Sequence, residues 1–419
     1  MKNKIIKGIA GITLASCVMM SLAGCGKKVE AADLMKGISS NTIETKNELT
    51  DEENSSVSGF GVRLFQSSLT DEENTLISPI SVLYALAMTA NGAEAETRSQ
   101  MESVLGMPVD ALNAYLHGYM ARLPESESYK LQLANAIWFK DDDMLTVNQN
   151  FLQMNADYYN AGAYKTPFDN STLKDINNWV SGHTEERIKD IIDEIPEEAV
   201  MYLVNALAFD AEWQNIYDET QVAEGIFTKE DGETQTVDMM YSEESSYLED
   251  ENATGFMKYY KDGKYAFAAL LPKEGLSTAD YVGTLSGEGL FETLTNAEDT
   301  TVNVTMPKFE TSYDTDMAQV LIDMGMPYAF DEEKADFTGL GTYVDANLYI
   351  NRVLHKTYIS VNEKGTEAGA ATAVEMVKEM AMMQEKPKVV TLDRPFVYMI
   401  IDCENNIPIF IGTMMNVAE

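Results

Sequence analysis

Apolar positions in the first half of the chain recur mainly at helical spacing, whereas beyond residue 200 they come in short runs bounded by turn residues. The stretch ISVLYALAMTANGAEAETRSQMESVLG (80–106), led in by Asn74 to Pro79, reads as a buried apolar helix broken at Asn91-Gly92. An amphipathic helix follows, with its Glu and Arg residues toward water. DINNWVSGHTEERIKDIIDEI (175–195) sets Ile176, Trp179, Val180 and His183 on one side at helical spacing. The strand-like runs are MYLVNALAF (201–209), YAFAALLP (265–272), TVNVTMPKF (301–309), LYINRVLHKTYISVN (348–362), VYMIID (397–402) and IPIFIGTMMN (407–416). They mostly do not alternate with helices, which predicts an α+β fold rather than a doubly wound α/β one.

VNEKGTEAGAATAVEMVKEMAMMQEKPK (361–388) obeys neither pattern simply. Its Ala, Glu, Met and Lys residues favour a helix, but Gly365 and Gly369 oppose one in the first half. At a period of two, Thr366, Ala368, Ala370, Thr372, Val374 and Met376 fall on one face and Gly365, Glu367, Gly369, Ala371, Ala373 and Glu375 on the other, so that all charge shares a side. The uncharged face is small enough to slide between strands already packed, unlike an ordinary edge strand with bulky β-branched or aromatic residues. The pattern is that of a strand waiting for its sheet.

A chain of 419 residues with 45% apolar content can bury a large core, and no repeat or second composition shift divides it. With 30 Lys+Arg against 68 Asp+Glu the net charge is −38, which repels nucleic acid and anionic lipid headgroups. The N-terminus is distinct. Lys2, Lys4 and Lys7 precede an apolar run ending Leu22-Ala23-Gly24-Cys25, the form of a secretory signal, and its end resembles a bacterial lipobox. That resemblance implies a lipoprotein signal peptide (1–24), an acylated Cys25 and an exported protein held at the bacterial membrane or cell surface, facing outward. An ordinary signal peptide cut nearby and a transmembrane anchor are the alternatives. Residues 25–55 are polar and without sustained periodicity, suiting a tether, and 56–419 reads as one domain. Cys403 is then the other cysteine of the mature chain and has no partner for an intrachain disulfide.

His117, His183 and His355 show no ligand spacing, which argues against a metal site. No phosphate-binding glycine loop or Gly-x-Ser-x-Gly elbow occurs, and runs such as Asp141-Asp142-Asp143 suit a solvated turn better than acid/base work. Neither an enzyme nor a cofactor is expected.

Seven segments, NTLISPISVLYALAMTANGAEAETRSQM, INNWV, LVNALAF, MPKFE, GMPYAFDEEKADFTGL, VLHKTYISVNEKGTEAGAATAV and RPFVYMIID, occur in an order that resembles the serpins, the serine-protease-inhibitor family, from about 56 to 419. The resemblance implies a large central, mostly antiparallel sheet with further sheets, about eight to nine helices, and an exposed reactive centre loop at about 363–392. It casts Glu363, Gly365, Thr366, Ala368, Ala370 and Thr372 as the hinge of that loop, with Gly369 in place of the usual alanine. Lys308 and Glu363 become a salt bridge near Trp213 at the breach, where insertion begins. Ser78, Pro79, Ser81, Asn205 and His355 become the buried shutter. For Trp213 and Trp179, core packing is part of the role in any case; His355 taken alone reads as a satisfied core histidine.

The implied activity is inhibition of a serine endopeptidase as a suicide substrate. The protease attacks the loop, forms an acyl-enzyme, and is trapped when the loop inserts into the central sheet. Family spacing puts the scissile residue at Glu379, with Lys378, Met380 and Ala381 as further candidates. Glu379 implies a Glu-preferring target, Lys378 a trypsin-like one, and Met380 or Ala381 an elastase-, chymotrypsin- or subtilisin-like one, the group the methionine-, valine- and alanine-rich loop favours. The expected partners are that protease and, through the lipid, a membrane; the chain itself is expected to be monomeric. The competing reading is a non-inhibitory serpin acting as a binding or structural surface protein.

Overall fold

The structure is a computed structural model that describes residues 29–46, 48–70, 73–123, 129–196, 199–344, 347–366 and 386–417. Cys25 with the signal segment, the hinge positions Ala368, Ala370 and Thr372, and the bait candidates Lys378, Glu379, Met380 and Ala381 lie outside the described residues.

In chain order the elements are β1 (Ala32–Asp33), α1 (Asp51–Ser68), β2 (Thr75–Ile77), α2 (Pro79–Ala90), α3 (Ala95–Leu105), α4 (Val109–Arg122), β3 (Tyr129–Lys140), β4 (Leu145–Val147), α5 (Gln149–Tyr158), β5 (Gly162–Thr166), α6 (Asn170–His183) and β6 (Met201–Glu212). There follow β7 (Val222–Thr228), β8 (Thr234–Glu249), β9 (Ala253–Tyr259), β10 (Tyr265–Pro272), α7 (Thr278–Thr284), α8 (Gly287–Thr295), β11 (Glu298–Pro307), β12 (Phe309–Asp316), α9 (Ala318–Met324), β13 (Gly341–Tyr343), β14 (Arg352–Val361), β15 (Gly365–Thr366), β16 (Lys388–Thr391), β17 (Phe396–Asp402) and β18 (Ile407–Met414).

A seven-stranded sheet runs β1-β5-β3-β6-β15-β14-β12, and a nine-stranded sheet contains β16-β11-β8-β9-β10-β17-β18-β2 with β7 beside β8. The main core includes side chains of both sheets and of α2, all of whose residues are buried. Pro79 at the first position of α2 and the Ser78 cap start that helix, which ends at Asn91 before α3, at the break the sequence predicts. A smaller core packs Trp179 and Ile176 of α6 on Trp138, Tyr202 and Leu354 of the seven-stranded sheet.

Several boundaries differ from expectation for local reasons. The segment read as a tether through residue 55 carries β1, which pairs with β5 (Ala32↔Lys165, Asp33↔Tyr164), and the Glu30 amide donates to both carboxylate oxygens of Asp175 at 3.0 Å. Backbone pairing and a carboxylate anchor leave no mark on composition, and the apolar residues that pack here, Val29 and Ala31 on the smaller core and Leu34, Met35 and Ile38 on the main one, are too few to show a period. Helix α1 starts at Asp51 behind a Thr50–Glu53 capping box, inside the expected tether. The helical run at 175–195 ends at His183, and Glu185 and Glu186 turn the chain with φ of 48° and 65°. Ile188, Ile191 and Ile192 still reach the smaller core, because the Asn177 amide oxygen accepts from the Ile191 and Ile192 backbone. TVNVTMPKF is two strands rather than one: at Lys308 the chain leaves the nine-stranded sheet (β11) for the seven-stranded sheet (β12).

Candidate functional site

Strands β6 and β14 are parallel neighbours from Arg352↔Tyr202 to Lys356↔Ala206 and part above that point. Between their parted ends sits β15, antiparallel to both, with Gly365↔Glu212 and Thr366↔Ala211 on one side and Val361↔Thr366 on the other. Among the described residues, 207–210 of β6 and 357–360 of β14 border a slot that no strand fills. The start of the strand-patterned segment is thus already in the sheet, and among the described residues nothing pairs with the facing edges of β6 and β14 ahead of it.

The slot is closed below by buried polar groups. His355 and Asn205 are register partners, and the imidazole is 1% exposed. The Ser78 amide donates to His355 Nε2 (3.1 Å), which makes Nε2 the acceptor and leaves the proton on Nδ1 to donate to Asn205 Oδ1 (3.2 Å). Asn205 Oδ1 also accepts from Ser81 Oγ (2.6 Å), while Asn205 Nδ2 donates to the Ser81 carbonyl (2.5 Å) and to Asn135 Oδ1 (2.6 Å). Burial pushes the His355 pKa down to about 3, in keeping with a neutral ring. Ser78, Ser81, Asn205 and His355, proposed together from sequence, therefore meet in one network, with Pro79 shaping the helix start between the serines. Asn135 was not foreseen, although an amide inside an otherwise apolar strand is the signal that marks it. Thr357, one step above, donates to the Leu76 carbonyl at 2.7 Å and belongs to the same seam.

The upper end is built differently. Lys308, where the chain changes sheets, reaches Glu363 Oε1 at 2.8 Å and Asp238 Oδ2 at 3.5 Å. The hydrogen bond to Glu363 raises the Lys308 pKa; for Glu363, burial is the largest influence and acts upward, but the Lys308 hydrogen bond, a backbone hydrogen bond and the Lys308 and Lys364 charges together bring the carboxyl below its ordinary value. Trp213, 1% exposed, donates its ring N–H to the Asn362 carbonyl and its amide to the Lys364 carbonyl, each at 2.8 Å, and stacks on Tyr260 at 4.4 Å. The Tyr260 hydroxyl meets Thr366 Oγ1 at 2.5 Å, so the first uncharged-face side chain of the segment is buried against it. At Gly365 a Cβ would lie 2.0 Å from the Ala211 carbonyl oxygen, which explains glycine at the entry point. Tyr217, another residue the sequence did not single out, donates its amide to the Glu363 carbonyl at 2.9 Å.

What the described residues offer is a sheet in which Gly365–Thr366 begin a strand between β6 and β14. The chain belongs to the serpin family: the family model described as serpin (serine protease inhibitor) matches residues 55–417. An uncharacterized serpin-like protein of Thermococcus kodakarensis is 31% identical over 369 residues, 86% of this chain and 84% of its own length. The crystal structure of tengpin, a thermophilic serpin, in its native state matches with a TM-score of 0.88 at 46% identity, covering 93% of this chain and all of that one. Tengpin in its latent state gives 0.79 at 45% identity, over 89% of this chain and all of that one. The fold is therefore the serpin fold, an inhibitor architecture, and its arrangement is nearer the native than the latent form.

Proposed function

We propose that this serpin is an inhibitory one, acting as a suicide substrate that traps a serine endopeptidase as its acyl-enzyme. The observation that carries the reading is the slot between β6 and β14, with Gly365 and Thr366 already at its mouth. Extending both registers by one residue at a time brings position 371 opposite Ala206 and Lys356, which are now paired with each other. As far as Ala370, the facing residues of β6 and β14 are not paired with each other; from Ala371 onward insertion must unzip β6 from β14 and exchange the His355–Asn205 contacts. Such an order suits a device that is poised while the loop is intact and is driven when cleavage frees it.

The small, uncharged inward row supports insertion over a loop that stays outside. The bait is assigned to Glu379, Met380, Lys378 or Ala381, with an elastase-, chymotrypsin- or subtilisin-like protease as target. The lipobox-like Leu22-Ala23-Gly24-Cys25 supports acylation at Cys25 and anchorage on the outward face of a bacterial membrane. The test is to incubate the protein with a panel of serine proteases of these classes. A covalent complex that survives denaturing electrophoresis is expected with at least one, while clean cleavage by every active protease and no complex favours the non-inhibitory reading.

A further inference from the structure

The hinge is gripped from below by a group that the inhibitory mechanism does not require. Lys258 is 1% exposed, with its Nζ 2.7 Å from Glu244 Oε1. The same ammonium lies 4.4 Å from the centroid of the Tyr217 ring and 5.4 Å from that of Trp213. Lys258 and Tyr260, two positions apart on extended backbone and hence on one side of it, both lie against Trp213. Glu244 is fixed in turn by Ser242 Oγ at 2.6 Å, and Ser242 Oγ sits 3.2 Å from the Tyr217 hydroxyl. Burying a cation is costly, and an apolar side chain would fill this space without that cost. What the cation adds is attraction to two ring faces inside a dry site, where such contacts are strongest.

The two rings belong to the residues that hold the root of the loop. Carbonyls of three consecutive residues, Asn362, Glu363 and Lys364, accept from Trp213 Nε1, the Tyr217 amide and the Trp213 amide at 2.8, 2.9 and 2.8 Å. The root is otherwise a tight turn, closed by the Asn362 amide on the Gly365 carbonyl at 3.0 Å and the Lys364 amide on Asn362 Oδ1 at 2.9 Å.

We propose that Lys258, backed by Glu244, is a positioning residue for loop insertion: its ammonium fixes the Trp213 and Tyr217 rings and thereby the hydrogen bonds that pin residues 362–364 to the sheet. A pinned root keeps Thr366 in register, so that a freed loop zips downward from a fixed start. A loosened root leaves the acyl-enzyme more time to hydrolyse. The effect on trapping rests on the inhibitory reading; the grip on the root does not.

The test compares wild type with Glu244→Asp, which lengthens the ion pair but keeps both charges and so the cation on the rings, and with the double variant Lys258→Met/Glu244→Gln, which removes the cation without orphaning a carboxylate. Amide hydrogen exchange at Trp213 and Tyr217 should rise about tenfold in the double variant and stay within about threefold of wild type in Glu244→Asp, with β17 and β18 unchanged in both. Tyr217→Leu, which removes one ring and leaves the ion pair, should loosen the Trp213 amide about threefold and gives a second reading should the double variant fold poorly. With a protease that wild type traps, the double variant should raise the ratio of cleaved to trapped inhibitor severalfold. Wild-type exchange at both amides in the double variant overturns the proposal, as does an unchanged Trp213 amide in Tyr217→Leu. Equal loosening by Glu244→Asp and the double variant overturns it too, because the ion pair alone would then hold the root. If wild type traps no protease, the inhibitory reading falls while the exchange data still judge the grip.

Discussion

β6 and β14 meet twice on different terms. At 202–206 and 352–356 they are hydrogen-bonded directly and sealed by neutral, fully buried groups, whereas at 211–212 and 361 they stand apart around Gly365–Thr366. The lower seam has its donors and acceptors matched, so separating it strands buried polar groups that water cannot reach quickly. The upper mouth is closed by main-chain contacts and by a Lys308–Glu363 pair whose side chains remain 30% and 34% exposed, so water can replace those charges as the strands move. If the loop inserts as proposed, the end that resists opening is the lower one, and the sheet fills from the top.

The largest expected effect comes from placing charge in the filling strand. Thr366→Arg would force a guanidinium into a site that is now 1% exposed beside the Tyr260 hydroxyl, a penalty of several kcal/mol (roughly 3–5) by analogy with unpaired buried charge. The variant should be cleaved and released rather than trap its protease, whereas Glu367→Arg, on the outward parity, should trap nearly as well as wild type. The readout is the fraction of protease in denaturant-stable complex against the fraction of loop-cleaved inhibitor. Equal trapping by both variants would falsify the parity assignment.

His355→Ala strikes the lower seam. It leaves the Ser78 amide and part of Asn205 without a partner at about 1–3 kcal/mol each, so the variant should melt earlier and polymerise on warming. Calorimetry with size-exclusion chromatography reads both effects, and wild-type behaviour in both would remove the seam from the account.

The same residue predicts an acid dependence. Its folded pKa of about 3 lies below the unfolded value of 6.5, so the unfolded chain takes up the proton first as pH falls. The His355 contribution is therefore complete above 6.5 and declines toward 3, at about 1.4 kcal/mol per pH unit. In denaturant titrations from pH 7 to 5, wild type should lose stability more steeply than His355→Gln by about that slope. Parallel curves would mean that the imidazole is not held neutral.

Lys308→Gln at the mouth should cost least, about 0.2–1 kcal/mol of stability, because the pair it breaks is half in water. A loss as large as that of His355→Ala would contradict the contrast between the two ends.

Much of this was legible beforehand for identifiable reasons. Ser78, Ser81, Asn205 and His355 were grouped by the serpin resemblance of the segments that carry them, and the grouping holds because polar groups that enter a core must find one another. The alternation of residues 365 to 376 predicts a strand, because the side-chain period of two is written in the chain itself, and Gly365–Thr366 pair as one; the rest lies outside the described residues. Asn135 was missed because β3 was not read as a strand, its apolar pattern lying among helices. Tyr217 and Tyr260 were missed because an aromatic residue in a strand-rich region has many possible neighbours.

By itself, then, the sequence determined the apolar helix that becomes α2, several of the strands beyond residue 200, the parity that buries Thr366, and that a serpin was encoded. It could not say how far the loop has already entered, since that depends on the competition between β6–β14 and β6–β15 pairing, which share one edge of the same strand. Nor could it separate β11 from β12 at Lys308, because one apolar run serves two sheets and only packing decides where the chain crosses. The cation beneath Trp213 and Tyr217 was equally hidden: Lys258 reads as one more surface lysine until strand pairing brings Glu244 beside it. Local propensity is a property of neighbours in the chain, while the grip on the loop is a property of strands far apart in it, and those distances are set only on folding.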